Sequence, residues 1–198
     1  MLYAHEGWAG LHFEGVARAA GVSKDAVYRR YSDAQSLLLD ALADQAVPTL
    51  AGDRPIEGAL VAYACEVFAY FASGNGYANL RVHIDGAQYP DILKQYRIRV
   101  VEPQIEQAVS VLERARDGGQ IHPETSCTAV IEALGGAVMV HALASVPSQS
   151  DDAGAPNPAT VRQLTEFVQQ ILYGRLPDGP SRVRSSATRR HPPPTASR

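Results

Sequence analysis

Cysteine is scarce in this sequence, and long hydrophobic runs are missing. Its 198 residues include two cysteines, Cys65 and Cys127, whose positions show no metal-ligand spacing, so we expect buried reduced thiols rather than a disulfide or a zinc site. No apolar run approaches the roughly 20 residues needed to span a bilayer, and the first residues lack the pattern of a signal peptide. The sequence therefore predicts a cytoplasmic protein with no membrane partner.

Strand patterns and catalytic signatures are missing as well. No glycine-rich phosphate loop follows a strand-like segment, which argues against a nucleotide enzyme. His83 and Asp85 stand two positions apart and would point in different directions on a helix, so they cannot act together as an acid and a base. His83, His122 and His141 show no ligand spacing, which leaves a metal sensor as a remote alternative. We predict no enzyme activity, no cofactor and no metal site.

Basic charge is sparse overall but concentrated in two places. The net charge is −3, yet five arginines against one aspartate give residues 177–198 a net charge of +4, which leaves −7 for the rest. This segment has almost no large apolar side chain and predicts a disordered basic tail. From Arg18 to Tyr31, four basic side chains stand against Asp25, a net charge of +3. A local patch of this kind suits contact with a polyanion even in an acidic protein.

Helical periodicity runs along most of the chain and predicts an all-α fold. The stretch 13–31, FEGVARAAGVSKDAVYRRY, reads as two short helices joined by a tight turn. Gly21 can take the left-handed conformation that ends the first helix, and Ser23 can cap the second. The outer face of the second helix carries polar and basic side chains suited to polyanion contact.

A break in the periodicity, from Pro48 to Pro55, predicts a domain boundary. It separates a small N-terminal domain, 1–47, from a larger helical domain, 48–176. Gly135-Gly136 lies inside a predicted helix, where glycine is costly, and suggests close approach by another helix. The predicted helices span about 33–46 in the small domain, and 56–71, 77–88, 91–116 with a kink at Pro103, 123–146 and 158–173 in the larger one.

An ordered set of residues in the first forty positions fits one known pattern. Its members are Gly7-Trp8, Leu11, Val16-Ala17, Ala20-Gly21-Val22-Ser23, Val27-Tyr28, Tyr31 and Leu37-Leu38. The set resembles the helix-turn-helix of the tetracycline-repressor (TetR) type of bacterial transcriptional regulators, whereas the rest of the chain matches that family by architecture only. The resemblance implies a homodimeric, sequence-specific DNA-binding regulator, a repressor that a small molecule releases from a near-palindromic operator.

The resemblance also implies where DNA would be contacted. The second of the two short helices would be the recognition helix in the major groove. The candidates are Lys24, Asp25, Ala26 and Arg29 for base edges, His12, Tyr28 and Arg30 for phosphates, and Ser23 as the cap of the helix.

Two departures from the family pattern bear on this interpretation. Family members carry a full helix before the Gly-Trp pair, whereas only residues 1–6 precede Gly7 here. Either the chain begins at an internal start, or the first helix is shortened and leaves Phe13 and Leu38 short of packing partners. Ala34 stands in the helical turn where the family usually has a lysine for phosphate. These departures favour the alternative, a small-molecule-binding or enzymatic helical bundle with a non-functional reading head; a purely structural interaction module is a third hypothesis.

The larger domain would hold a ligand pocket and a dimer interface, as the resemblance implies. Apolar stripes also occur in ordinary cores, so packing within the monomer is the alternative for both sets. The pocket candidates are Tyr63, Val67, Phe71, Tyr89, Tyr96 and Val100. The interface candidates are Val130, Leu134, Leu164, Phe167, Val168 and Ile171.

Overall fold

The computed structural model describes residues 2–145 and 155–174, and in these ranges every regular element is helical. The all-α prediction is confirmed. The predicted basic tail, 177–198, lies outside the described residues. The helices are α1 (Leu2–Gly10), α2 (Phe13–Ala20), α3 (Lys24–Arg30), α4 (Ala34–Ala43), α5 (Ile56–Phe71), α6 (Gly74–Asp85), α7 (Pro90–Tyr96), a π-helical turn (Arg97–Val101), α8 (Glu102–Asp117), α9 (Cys127–Ser145) and α10 (Pro158–Tyr173).

The helix ends of the N-terminal domain follow local side-chain chemistry. Gly21 has φ 65° and ψ 28°, the left-handed conformation that closes α2. The Ser23 hydroxyl oxygen accepts a hydrogen bond from the Ala26 amide at 3.2 Å and caps α3. Asp33 caps α4 in the same way, because its carboxylate accepts from the Ser36 amide at 2.7 Å. The predicted turn between two short helices is confirmed.

The first helix closes the core of the N-terminal domain. Tyr3 and Ala4 of α1 are buried in one cluster with the leucines of α4. Phe13 and Leu38 are only 9% and 2% exposed, so neither lacks packing partners. The same cluster includes Val82 and other side chains of α6 and α7. The N-terminal helices therefore dock on the larger domain through shared apolar contacts.

The core of the larger domain lies between α5, α8, α9 and α10. Leu60, Leu112, Leu134 and Val168, one from each helix, are at most 1% exposed and belong to the same cluster. Because α5 packs against α9 and α10, it holds the apolar stripes of both helices in the interior of the monomer.

Helix α6 ends at Asp85 instead of near Gln88, and three further predicted helix ends are wrong. The connecting helix α4 ends at Ala43 instead of near Ala46. The run from Ser73 to Gly76 forms the cap and first turn of α6 instead of ending α5, and a Cβ at Gly76 would overlap the Tyr70 carbonyl.

The start of α9 is the third of these further corrections. His122-Pro123 forms a turn in which the Thr125 amide donates to the His122 carbonyl at 3.0 Å. Helix α9 begins only at Cys127, where the Ser126 hydroxyl accepts from the Ala129 amide at 3.3 Å. The serine cap, rather than the proline, sets this helix start.

The predicted break at Pro103 is confirmed. Proline has no backbone N–H, so it cannot continue the helical hydrogen-bond ladder toward Arg99. The chain passes through a π turn, in which the Glu102 amide donates to the Arg97 carbonyl five residues earlier. Residues after this turn are displaced by one position relative to a continuous α-helix.

Helix α9 is long and apolar enough to cross a membrane by length and composition alone. It has 19 residues and a mean hydropathy of 1.7, so the expectation that no apolar segment approaches this length is wrong. Helices α5 and α6 pass the same test only as a pair bent by 80°. Val130, Leu134 and Val138 of α9 are buried in the domain core, and a core helix meets the same criteria.

Candidate functional site

The outer surface of α2 and α3 is held by one ion pair and two ring contacts. The Lys24 ammonium donates to the Glu14 carboxylate and lies 5.6 Å from the centre of the Tyr28 ring. This hydrogen bond lowers the pKa of Glu14 and raises the pKa of Lys24, so both stay charged at neutral pH. The Tyr28 ring packs edge-on against Phe13, with centroids 4.7 Å apart. The recognition-helix candidate is thereby fixed against its neighbour.

The remaining predicted contact residues differ in exposure. Asp25, Arg29 and Arg30 are exposed, and Arg30 lies 5.4 Å from the centre of the Tyr31 ring. Ala26 is half-buried, which leaves only part of its side chain for a base edge.

His12 begins α2 without a side-chain cap. Its Nδ1 lies 2.7 Å from the Gly10 carbonyl, and this contact needs the proton on Nδ1. Only a doubly protonated ring would then donate to phosphate through Nε2. The DNA-contact roles of His12 and the seven α3 candidates stay predictions.

A cavity of about 410 Å³ lies among α5, α6, α7, α8 and α9. Four of the six pocket candidates line it: Tyr63, Val67, Phe71 and Tyr96. Its wall on α9 includes Gly135 and Gly136, and a Cβ at either glycine would meet nothing within 4 Å. Within the described chain no helix approaches this glycine pair closely, so that expectation is wrong for the monomer.

Two predicted pocket residues do not line the cavity. The Tyr89 ring packs against Trp8, with ring centroids 5.5 Å apart. Val100 is 6% exposed and belongs to the cluster shared with α1 and α4. Because the π turn displaces the register by one residue, Val101 faces the cavity where continuous α-helical spacing had placed Val100.

A chain of buried and half-buried hydrogen bonds includes three residues of the cavity wall. The Tyr70 hydroxyl and the Asn79 side-chain amide both donate to the Gln45 side-chain oxygen, each at 2.8 Å. The Tyr96 hydroxyl donates to the side-chain oxygen of Asn79. Burial raises the pKa of Tyr70 and of Tyr96, so both phenols remain protonated donors. Tyr70, Asn79 and Tyr96 line the cavity, and Gln45 directly follows Asp44, the C-terminal cap of α4.

Sequence reasoning missed Tyr70, Asn79 and Gln45 as site residues. Asn79 is 3% exposed and lies three residues before the buried Val82, so a polar residue on an apolar helical face was the available signal. Tyr70 and Gln45 are 25 positions apart, and no local pattern links them.

The predicted dimer interface stays a prediction, although most of its residues are buried within the single chain. Four of its six residues are buried in the monomer core, because α5 covers the stripes of α9 and α10: Val130, Leu134, Leu164 and Val168. Phe167 is 42% exposed, and Ile171 is half-buried against the same core.

A groove of about 380 Å³ on the outer side of α9 and α10 is lined by Phe167, His141, Glu166 and neighbouring residues. The His141 Nε2 is buried without a hydrogen-bond partner among the described residues.

Comparison with known families agrees with this architecture. Residues 1–41 match the family model of the bacterial regulatory proteins of the tetR family, and residues 52–156 match the model of the tetracyclin repressor-like C-terminal domain. The second match alone covers more than half of the chain. This chain belongs to the TetR family. It is a TetR-family transcriptional regulator with an N-terminal helix-turn-helix domain and a helical C-terminal domain.

Individual TetR-family relatives are distant. The HTH-type transcriptional regulator AqdR of Rhodococcus erythropolis is 28% identical over 131 residues, which cover 65% of this chain and 63% of the relative. The chain thus matches somewhat less than two thirds of the length of this curated relative.

Solved TetR-family structures give the same fold. The TetR family transcription regulator SCO0332 is 25% identical, with a TM-score of 0.59, and the match covers 89% of this chain and 93% of that protein. A protein from Mesorhizobium loti MAFF303099, described as a TetR-family transcriptional regulator, has the same TM-score at 17% identity and covers 86% of this chain and 89% of its own. The second match concerns the fold alone.

Proposed function

We propose that this TetR-family chain is a ligand-responsive repressor that binds a near-palindromic operator in the cytoplasm. The observation that carries the proposal is the combination of a capped α3, with Arg29 and Arg30 exposed on it, and a cavity with several aromatic side chains beside α6. The N-terminal helices and the cavity share α6, because one face of α6 packs on α1 while Asn79 and His83 line the cavity. Binding in the cavity and reading of DNA are therefore coupled mechanically.

The mechanism follows from the geometry of a dimer on DNA. Two copies of α3 enter successive major grooves about 34 Å apart, so both bind only when their separation matches the operator. A ligand that prefers another separation weakens DNA binding by the same free energy by which DNA weakens ligand binding. Repression and release are the two states of this equilibrium.

The homodimer is part of this proposal, with a revised interface. The exposed side of α9 presents Ala133, Gly136 and Val140 at helical spacing, and Phe167 is exposed on α10. Small residues permit close approach of a second helix, and the aromatic ring supplies an apolar anchor. The absence of a Cβ contact at Gly136 leaves that approach open.

Arg29→Ala tests the DNA-reading role. Fluorescence anisotropy at fixed salt, with DNA flanking the protein's own gene, measures the effect. We expect the free energy of DNA binding to weaken by about 1–3 kcal/mol and the base preference at one operator position to relax. Arg54→Ala is the matched control, because Arg54 is also exposed but lies before α5 and pairs with Asp53. Unchanged affinity and preference in Arg29→Ala would remove Arg29 from the interface. Failure of the unaltered protein to bind any such DNA would favour a bundle with a non-reading head.

A further inference from the structure

Two hydrogen-bond donors in the cavity wall are paired with one acceptor oxygen of the protein itself, which belongs to Gln45. Two donors from different helices, the Tyr70 hydroxyl and the Asn79 amide, converge at 2.8 Å on the carbonyl oxygen of the Gln45 side chain. Tyr70 and Asn79 belong to the cavity lining, so a bound molecule can reach both donors. A molecule that brings its own acceptor oxygen can form the same pair of hydrogen bonds.

The charge of the lining selects against anions. Among the described residues that form the wall, Glu132 is the one acidic side chain, and no lysine or arginine is present. An anion placed there would lose its hydration and find no lysine or arginine, with His83 as the one imidazole of the wall, and this loss is costly in an apolar cavity. The rest of the wall is mainly aromatic and aliphatic, including Tyr63 and Phe71, which suits a flat apolar body.

Gln45 connects the Tyr70 and Asn79 donors to the DNA-binding helices. It directly follows Asp44, the C-terminal cap of α4, and α4 in turn packs on α1 within the shared apolar cluster. The two hydrogen bonds to Gln45 thus tie the end of α4 to α5 and α6.

We propose that the effector is an uncharged aromatic molecule whose acceptor oxygen displaces the Gln45 side chain from Tyr70 and Asn79, freeing the end of α4. The inference rests on the proposed function, since it supplies the chemistry by which a ligand would act on the reading helices. Each donor stays satisfied in both states, so the exchange costs little in unpaired polar groups. Burial of the apolar part of the ligand provides binding free energy, and the segment after α4 loses its two hydrogen bonds to α5 and α6.

Matched synthetic probes test the required chemistry. Fluorenone and fluorene share shape and size, but only fluorenone carries a ketone oxygen. Titration of the full chain, followed by tyrosine and tryptophan fluorescence and by thermal stabilisation, is expected to show roughly tenfold tighter binding of fluorenone, since each hydrogen bond adds a modest net gain. Fluorenone-4-carboxylate keeps the ketone but adds a negative charge, and it is expected to bind more weakly than fluorenone.

Variants separate the exchange from a purely structural role. Gln45→Leu leaves the two donors without an acceptor, so fluorenone should bind about tenfold more tightly than to the unaltered protein, while fluorene should not. The same variant should bind operator DNA several-fold more weakly without any ligand. Tyr70→Phe should reduce the preference for fluorenone over fluorene. Tyr63→Phe, which alters another cavity phenol outside this hydrogen-bonded chain, should leave the preference intact.

Several results would overturn the inference. They are equal affinity for fluorenone and fluorene, binding of neither probe, tighter binding of the carboxylate, or the same change for both neutral probes in Gln45→Leu. If the unaltered protein binds its operator while the probes behave in any of these ways, the exchange is wrong and the repressor proposal stands. If the probes behave as expected but no operator is bound, the cavity chemistry stands and the repressor proposal fails.

Discussion

At the scale of single residues, the surface proposed to face DNA is partly neutralised by its own acidic side chain. Glu14 of α2 holds the Lys24 ammonium, so this cation is engaged before any phosphate arrives. Both side chains are largely exposed, at 59% and 46%, so water and salt screen the pair and a phosphate can compete for the lysine. We therefore expect the pair to limit DNA affinity more than it stabilises the fold.

Glu14→Gln is expected to strengthen DNA binding. The substitution releases Lys24 and removes a negative charge beside the phosphates, so one more phosphate can be neutralised. Affinity for both operator and unrelated DNA should rise at low salt, and the slope of log K against log salt should steepen by about 0.9. Salt titrations by fluorescence anisotropy measure both quantities.

Glu106→Gln is the control for this experiment. Glu106 is also exposed, but it lies on α8 in the larger domain. An equal gain from both variants would mean that overall charge, rather than release of Lys24, controls affinity. An unchanged salt slope in Glu14→Gln would mean that Lys24 does not reach a phosphate.

At the scale of helices, what the sequence predicts well is what local chemistry decides. Gly21 and Ser23 fix the turn between α2 and α3 through their own backbone and side-chain preferences, and Pro103 breaks a helix for the same kind of reason. The π turn after Tyr96 forms because the backbone there adopts hydrogen bonds between residues five apart. Sequence spacing rules assume a continuous α-helix and do not anticipate this change. Hence Val101, rather than Val100, faces the cavity.

Contacts between distant helices are the part that spacing cannot supply. The apolar stripe of α10 was recognisable, but whether α5 or a second chain covers it depends on tertiary packing. The Tyr70 and Asn79 donors lie on α5 and α6, and a non-helical segment of 12 residues separates α4 from α5. No local sequence pattern therefore indicates that both donors meet at Gln45.

The kink in α1 gives a prediction about helix geometry. Gly7 has φ 67° and ψ −163°, a conformation open essentially to glycine, and a Cβ there would overlap the Arg81 guanidinium of α6. Arg81 is held there because it donates to the Ala4 carbonyl at 3.2 Å. Gly7→Ala should therefore strain the backbone and also disturb the contact between α1 and α6.

Gly21→Ala gives the cost of a milder positive-φ strain without any side-chain contact. Gly21 also has positive φ, but a Cβ at this position would meet nothing within 4 Å, so only backbone strain of about 1–2 kcal/mol is expected. Gly7→Ala should cost at least about 1 kcal/mol more in the free energy of unfolding, measured by urea denaturation. Equal losses would mean that the Arg81 contact contributes little.

At the scale of the whole molecule, the N-terminal helices contact the larger domain through hydrogen bonds, an ion pair and an apolar cluster. Tyr3 of α1 donates to the Asp85 carboxylate of α6 at 2.8 Å, and Arg99 of the π turn pairs with Asp40 of α4 at 2.9 Å. These polar contacts surround the apolar cluster that α1 and α4 share with α6 and α7. If the proposed ligand response moves α6 or the π turn, we expect these contacts to carry the movement to α1 and α4.

Assembly of two such chains is tested most directly at Phe167. Its ring is exposed beside the groove between α9 and α10, whereas Leu164 one turn earlier is 2% exposed in the monomer core. Phe167→Glu should dissociate the dimer, because two charges would face each other across a two-fold axis without partners. Sedimentation should then give a monomer that melts independently of concentration, and operator affinity should fall because the two heads are no longer linked.

Two further variants make the Phe167 result interpretable. Leu164→Ala should lower the free energy of unfolding of each chain by about 2–5 kcal/mol through a core cavity, with its effect on the fold rather than on the interface. Gln88→Glu adds the same charge at an exposed position outside α9 and α10 and should leave the dimer intact. If Phe167→Glu remains a dimer at micromolar concentration, the contact lies elsewhere on α9, and the stripe of Ala133, Gly136 and Val140 becomes the next surface to alter, because its small side chains would meet their copies across the axis.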